Sequence, residues 1–188
     1  MGGLRKLMKR RKETTVTSNI LSLPRDMLAS ILASVASSSV IDLVEAKRTC
    51  QGFYEAASDY LVFRRVTLES VYGTSWTANS PEKSSFLKQC EEMGNPDALC
   101  NLGMYHFFSY REYELGLNLL KKCVDSGHLY SSYALGMILL SNRGSHLEAI
   151  EVLNKIENLE TDKCRRRFRK ILNRMWIHYS FHQRRIYM

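Results

Sequence analysis

The chain has 188 residues, 45% of them hydrophobic and 24% charged, which is ordinary for a globular protein and leaves room for one domain or two small ones. It contains no run of 18 apolar residues, which argues against a membrane-spanning helix, and its basic beginning lacks the apolar segment of a secretory signal. Its five cysteines are odd in number and form no Cys-x-x-Cys pair, so we expect reduced thiols and a place in the nucleus or the cytoplasm.

The formal charge of +8 is concentrated at the two ends of the chain. Residues 5–12 and 163–188 together hold 15 of the 27 basic residues and no acidic one, so the stretch between them keeps 12 basic and all 19 acidic residues, a net charge of −7. A nucleic-acid-binding domain usually carries its basic face on the folded body, and this distribution does not favour one. The basic run at 6–12, within a tail and linker predicted at 1–21, is either a nuclear import signal or a solvated tail.

The first predicted helix begins just after Leu23. Pro24 suits the first turn of a helix, and Asp26 suits the positive end of the helix dipole. Apolar residues then recur at the spacing of one helical face; they are Met27, Leu28, Ile31, Leu32 and Val35.

Two further short helices are predicted behind the first. Ser39-x-x-Asp42 is a capping box that opens the second helix, which carries Val40, Leu43 and Val44. The third helix carries Cys50, Phe53, Tyr54 and Ala57. Three helices of this size cannot bury all their apolar surface among themselves. The excess therefore packs either on the rest of the chain or against a partner.

The order of these residues resembles an F-box, whose motif reads Leu-Pro-x-Asp/Glu-apolar-apolar-x-x-Ile-Leu, with a cysteine and an aromatic residue three apart further on. The matching stretch is Leu23-Pro24-x-Asp26-Met27-Leu28-x-x-Ile31-Leu32, then Leu43, then Cys50-x-x-Phe53. The resemblance covers residues 22–66 and implies a three-helix module that docks the Skp-type adaptor of a cullin-based ubiquitin ligase, an SCF complex. The resemblance implies that eight residues form or support this contact: Leu23, Pro24, Met27, Leu28, Ile31, Leu32, Leu43 and Phe53.

A repeated segment follows the F-box-like region. Turn-forming residues fill 67–82, which predicts a connector with Trp76 packed on the helical body. Within the region 83–160, residues 86–105 set over 119–138, an offset of 33, are identical at seven of 20 positions. A period near 33 is typical of solenoids built from helical hairpins.

Four repeated glycines have predicted roles in these hairpins. Gly94 and Gly127 follow amphipathic helices, where a left-handed C-cap is needed. Gly103 and Gly136 fall within helices, where glycine costs about 1 kcal/mol relative to alanine, so we expect a neighbouring helix to approach closely. The pattern Ala-x-x-x-Leu-Gly at 98–103 resembles Sel-one-like repeats, relatives of the tetratricopeptide repeat, and either label is open. Together with an F-box, such repeats resemble a group of small plant F-box proteins.

The last helix is predicted at 163–180 and is amphipathic. One side carries Phe168, Ile171, Leu172, Met175, Trp176 and Tyr179. The opposite side carries Arg165, Arg166, Arg167, Arg169, Lys170 and Arg174. Two roles are open for the segment 161–188. It either caps the solenoid and leaves a solvated basic face, or lies on a membrane or a partner.

Residues that carry catalysis or bind metal do not converge in the sequence. His178-x-x-x-His182 has the spacing of a zinc finger but lacks a cysteine pair, and the other histidines have no carboxylate pattern around them. Gly-x-Ser-x-Gly, His-Glu-x-x-His and phosphate-binding glycine motifs are absent, and Cys50 fits a core position. We therefore predict that the chain is not an enzyme and takes no cofactor or metal.

The predicted fold is all-α: an N-terminal three-helix F-box, a short α-solenoid of helical hairpins and a C-terminal capping helix. The predicted function is that of a substrate-recruiting adaptor of an SCF ubiquitin ligase, which docks a Skp-type adaptor, and through it a cullin, and presents an unidentified protein substrate on its repeats. Two alternatives are open. A helical-repeat scaffold without a ubiquitin role predicts that Met27, Leu28, Ile31 and Leu32 are all buried against the repeats. A nucleic-acid-associated protein predicts salt-sensitive binding through the basic ends.

Overall fold

The fold is that of a computed structural model, which describes residues 20–73, 81–142, 144–156 and 158–186; within these ranges the side chains of 72, 73, 158, 159 and 176–186 are not described. Several sequence predictions fall outside the described residues. They concern the basic run at 6–12, Trp76, and the side chains of Trp176, His178, Tyr179 and His182.

The described residues form eleven α-helices and no β-strand, which confirms the all-α prediction. The helices are α1 (Arg25–Ser38), α2 (Val40–Thr49), α3 (Gln51–Ala56), α4 (Tyr60–Arg65), α5 (Glu69–Gly73), α6 (Pro81–Glu92), α7 (Pro96–Tyr105), α8 (Tyr113–Asp125), α9 (Leu129–Leu140), α10 (His146–Leu153) and α11 (Asn158–Ile186). A 3-10 turn at Ile20–Ser22 precedes α1, and a π-helical turn at His106–Tyr110 joins α7 to α8.

Capping side chains fix the beginnings of two of the first four helices, α2 and α4. Ser39 has an extended backbone that ends α1, and its hydroxyl accepts a hydrogen bond from the Asp42 amide at the start of α2 (3.2 Å), as the capping motif predicted. Asp59 caps α4 in the same way through the Leu61 amide (2.9 Å). Only three helices were predicted here; α4 was not, because a helix of six residues is too short to show a periodic pattern.

A first hydrophobic core, the N-terminal core, joins α1–α4 to the start of the repeats. Its buried residues are Leu28, Leu32, Ala33, Ala36, Leu43, Ala56, Ala57, Val62, Val66, Leu68, Val71, Cys90 and Ala98. Two of these, Leu68 and Val71, come from the segment predicted as a connector. Cys90 comes from α6 and Ala98 from α7, so the core does not end where the repeats begin.

The helices of the repeats end in left-handed glycine caps. Gly94 and Gly127 have φ angles of 73° and 81°. The amides of the residues that follow them donate hydrogen bonds back to the carbonyl oxygens of Cys90 (2.9 Å) and Cys123 (3.1 Å). This is the Schellman geometry of a helix C-terminus, so the predicted role of both glycines is confirmed.

Glycines within the helices allow their neighbours to approach closely. A Cβ atom on Gly116 of α8 would lie 2.8 Å from the Gly103 carbonyl oxygen of α7. A Cβ atom on Gly136 of α9 would lie 2.5 Å from Leu153 Cγ of α10. The close approach predicted at Gly103 and Gly136 is confirmed, and Gly116 is a further contact of the same kind.

A second hydrophobic core, the C-terminal core, is built around α9, on which α8, α10 and α11 all pack. Helix α11 contributes Cys164, Ile171 and Met175 to it. The apolar side of α11 therefore covers the repeats, as predicted for a cap, and in its described part is not free to lie on a membrane. No helix among the described residues is both long and apolar enough to cross a membrane.

Asn95 joins the end of the N-terminal module, the name we give to helices α1–α4, to the repeats. Its side-chain oxygen accepts a hydrogen bond from the Ala98 amide (3.1 Å) and so caps α7. Its side-chain nitrogen donates to the carbonyl oxygens of Phe63 and Val66, both at 2.8 Å. Asn95 is 1% exposed, so a single buried amide satisfies backbone groups on both sides of the junction.

Asp97 extends this junction to the last helix. Its carboxylate accepts hydrogen bonds from the Leu68 amide (2.9 Å), His128 Nε2 (2.9 Å) and Arg167 Nη2 (2.6 Å). The Arg167 guanidinium also lies over the Tyr130 ring, 4.3 Å from its centroid. The sequence analysis placed Arg167 on a solvated face, which is wrong because a carboxylate 70 residues earlier draws it into the interior. We call Asn95, Asp97, His128 and Arg167 the polar joint.

The electrostatics of the polar joint favour an ionised carboxylate. Burial alone would raise the pKa of Asp97, but the hydrogen bond from His128 and the charges of Arg167 and His128 outweigh burial and hold this pKa well below its usual range. Asp97 is therefore charged at neutral pH and neutralises the guanidinium that it binds.

Candidate docking site

Helix α1 has apolar side chains on two of its sides. Leu28 and Leu32 are 6% and 3% exposed and belong to the N-terminal core. Met27 and Ile31 are 49% and 40% exposed, and lie one turn apart on a single stripe. One side of α1 thus completes the core, and the other leaves large apolar groups in water.

Helix α2 repeats this arrangement. Leu43 is buried in the N-terminal core, whereas Ile41 is 64% exposed and Val44 is also exposed. Helices α1 and α2 both pack against α3. The first three helices therefore form one packed unit that exposes apolar side chains from more than one helix.

Helix α3 and the turn before α1 add further exposed apolar groups. Tyr54 is 54% exposed, and Lys47 Nζ lies 5.4 Å from the centroid of its ring. Leu21 packs beside Gly52 of α3, where a Cβ atom would lie 3.3 Å from Leu21 Cδ2, yet Leu21 is exposed as a whole. We call the exposed apolar residues of this unit the apolar docking face; they are Ile20, Leu21, Met27, Ile31, Ile41, Val44 and Tyr54.

The eight residues predicted for the docking site fall into three groups. Leu28, Leu32 and Leu43 are buried in the N-terminal core. Leu23 and Phe53 are half-buried and pack against that core. Pro24, Met27 and Ile31 are exposed. The first group has almost no surface in contact with solvent, the second has some, and the third has the most.

Sequence reasoning missed part of the face. The sequence-based prediction did not include Ile20, Leu21 or Ile41. Ile41 could have been found, because it is a large apolar residue of α2 that lies outside the apolar stripe of that helix. The alternative of a scaffold without a ubiquitin role required Met27, Leu28, Ile31 and Leu32 all to be buried against the repeats. That expectation is wrong, because Met27 and Ile31 are exposed and Leu28 and Leu32 lie in the N-terminal core.

A metal site and a reactive thiol would each need particular side chains among the described residues. No three His, Cys, Asp or Glu side chains among them converge on a possible metal site. Burial raises the pKa of the Cys90, Cys100 and Cys123 thiols, that of Cys90 to about 12. These thiols stay protonated at neutral pH and act as small core side chains.

Comparison with known proteins covers both halves of the chain. The family model described as plant tetratrico peptide repeats matches residues 69–173, which run from α5 into α11. A protein of Arabidopsis thaliana named "Putative F-box protein At1g67623" is 26% identical over 148 residues, or 78% of this chain and 49% of its own length. "F-box protein At1g67340" of the same plant is 28% identical over 137 residues, 70% of this chain and 35% of its own length. No solved structure gives a significant match.

The chain is thus similar, over 70–78% of its length, to plant proteins that are named F-box proteins. It belongs to the family of plant tetratrico peptide repeats, whose model matches more than half of its residues. The chain spans about half or less of the length of these curated relatives.

Proposed function

We propose that this chain is a substrate-recruiting adaptor of an SCF-type ubiquitin ligase and binds a Skp-type adaptor through the apolar docking face. The observation that carries the proposal is the two-sided apolar character of α1, with Leu28 and Leu32 buried and Met27 and Ile31 exposed. An apolar side chain that its own core does not need is typical of a surface that a partner covers.

The arrangement of the face supports a helical partner surface. Apolar anchors one turn apart, such as Met27 and Ile31, fit a groove between helices. A few such anchors usually carry most of the binding free energy of an interface. The names of the Arabidopsis relatives, which call them F-box proteins, support the same assignment.

The proposed mechanism needs no reactive side chain in this chain. The docking face would fix the chain to the Skp-type adaptor and a cullin, and the repeats would hold a protein substrate near a ubiquitin-charged enzyme. Proximity alone raises the rate of such a transfer. The four buried free thiols support action in a reducing place, the nucleus or the cytoplasm.

The proposal is tested by calorimetry with a purified Skp-type adaptor. We expect Met27→Asp/Ile31→Asp to weaken binding about 100-fold, because two desolvated anchors are worth about 1–2 kcal/mol each. Leu28 is not a suitable position, because a charge in the N-terminal core would unfold the module.

The matched control makes the same change at exposed apolar residues of the repeats. Leu147→Asp/Ile150→Asp on α10 replaces two exposed side chains and is expected to leave the affinity unchanged. Circular dichroism of both variants checks that they fold. Absence of binding by the intact chain, or equal binding by the Met27/Ile31 variant, would refute the proposal.

A further inference from the structure

A basic cleft lies between α5 and α11. Its volume is about 310 Å³, and five cations of α11 line it: Lys163, Arg166, Lys170, Arg174 and Arg167, the last of which is paired with Asp97. Glu69 at the start of α5 and the buried Ile171 also line it.

Most of this positive charge is not neutralised within the part of the chain that the structure describes. Lys163 forms an ion pair with Glu160 (2.8 Å). Arg166, Lys170 and Arg174 form no ion pair with any described residue. They stand four residues apart on one ridge of the helix, where like charges repel each other.

The positive field extends beyond α11. Burial and then the charge of Arg174 lower the pKa of Lys83 on α6. The charge of Arg174 therefore acts on α6 as well as on α11.

Helix α11 holds these cations in a fixed position. Arg167, which follows Arg166, is anchored by Asp97 at 2.6 Å and by the Tyr130 ring. Ile171 and Met175 are buried in the C-terminal core. Because the helix is anchored on both sides of the ridge, an anionic ligand would not have to order it, which lowers the cost of binding.

We propose that this basic cleft binds a short acidic segment of a partner protein, rich in Asp and Glu or phosphorylated. Cations four residues apart on a helix stand about 6 Å apart along its axis. Alternate side chains of an extended peptide stand about 6.7 Å apart, so acidic groups at every second position match the ridge. Under the proposed adaptor function, on which this reading rests, the segment belongs to the recruited substrate.

The chemistry of the cleft favours a peptide over other polyanions. None of the described residues that line it is aromatic, so it lacks the stacking platform of a single-stranded nucleic-acid site. The body of the chain, residues 13–162, has a net charge of −7 and would repel a long polyanion. A membrane surface is disfavoured because the apolar side of the described part of α11 is buried.

The test measures binding of three fluorescein-labelled 12-residue peptides to the full chain by fluorescence anisotropy. One peptide carries Asp at alternate positions, one carries phosphoserine there, and one carries serine. We expect the two anionic peptides to bind, the serine peptide not to bind, and Arg166→Glu/Lys170→Glu to weaken binding about tenfold. We expect Glu69→Gln to tighten it about twofold, since it removes the acid of the cleft.

The matched control reverses two other cations of the same helix. Arg165→Glu/Arg169→Glu makes the same change in net charge at residues that do not line the cleft, and we expect it to change the affinity by about twofold or less. Equal losses in the two double variants, no binding of either anionic peptide, or stronger cleft-dependent binding of a single-stranded oligonucleotide would each overturn the proposal.

Failure of this proposal can be told apart from failure of the adaptor function. Arg166→Glu/Lys170→Glu leaves the apolar docking face intact, so it should bind the Skp-type adaptor like the parent chain. If acidic peptides bind but the adaptor does not, the cleft stands as a protein-binding site and the ligase role fails. If the adaptor binds and the peptides do not, the adaptor function stands and the proposal for the basic cleft fails.

Discussion

Helices α1 and α9 are both rich in apolar residues but differ in how much of their surface the chain covers. Helix α9 is enclosed by α8, α10 and α11, and from Tyr130 to Leu139 only Met137 among its residues is exposed. Helix α1 has partners on one side, so Leu32 is buried and Ile31 beside it is not. The last helix covers the repeats, whereas Met27 and Ile31 of α1 are not covered by any part of the chain that the structure describes.

The largest expected effect comes from the polar joint, which should couple the two regions. We expect Asp97→Ala to lower the free energy of unfolding by about 4 kcal/mol, because the nearly buried Arg167 guanidinium loses its counter-charge. Urea denaturation followed by circular dichroism measures this loss. Asp162→Ala, which removes an exposed carboxylate paired with Arg165, is the control and should cost under about 1 kcal/mol. A loss as small as the control's would mean that the joint does not hold the regions together.

The same carboxylate predicts acid sensitivity. Its pKa is lower in the folded chain than the unfolded value of about 3.9, so its contribution to stability is complete above that value. The contribution is lost as the pH falls from about 4 through the lower folded pKa. Denaturation at a series of pH values should therefore show the difference between the parent chain and Asp97→Ala shrinking below pH ~4. A difference that stays constant down to pH ~2 would contradict this account.

Two adjacent residues of α1 give the most direct test of the difference between a covered and an exposed apolar side chain. Leu32→Ala should cost about 3 kcal/mol, because it leaves a cavity in the N-terminal core. Ile31→Ala should cost under about 0.5 kcal/mol, because the side chain is exposed. Chemical denaturation of the two variants gives both values. Equal losses would show that the chain covers Ile31 after all.

A smaller effect is expected where α7 meets α8. Gly116→Ala should lower the free energy of unfolding by about 1–2 kcal/mol, because the new Cβ would press on the Gly103 carbonyl oxygen and this strain exceeds the gain in helix propensity. Gly144→Ala, where a Cβ meets nothing within 4 Å, is the comparison. In thermal melting, only Gly116→Ala should have a lower midpoint temperature than the parent chain.

Local and periodic features of this fold could be predicted from the sequence. The offset of 33 aligned Gly94 with Gly127 and Gly103 with Gly136, and each pair has a role that depends on the absence of a side chain. Those roles follow from backbone geometry, which is encoded within a few residues. Pro24 and the apolar stripe that follows it likewise predicted a helix that begins just after Leu23, and α1 begins at Arg25.

Features that depend on long-range packing could not be predicted. The pairing of Asp97 with Arg167 spans 70 residues and leaves no trace in local spacing. His128 was judged to have no carboxylate near it, yet Asp97 lies 2.9 Å from its Nε2 atom. Periodicity also cannot say which of two apolar stripes on α1 faces the core, so buried and exposed residues were assigned to the docking site together.

Cys90 and Ala98 complete the N-terminal core, and this limits where such chains can be recombined, in evolution or by engineering. A recombination cut anywhere between the F-box-like helices and the first repeat would divide that core and separate Asn95 from the carbonyl groups of Phe63 and Val66. A functional cassette would therefore have to extend through the beginning of α7. Chimeras joined at residue 82, the predicted end of the connector, should be recovered as insoluble protein, because they divide this core.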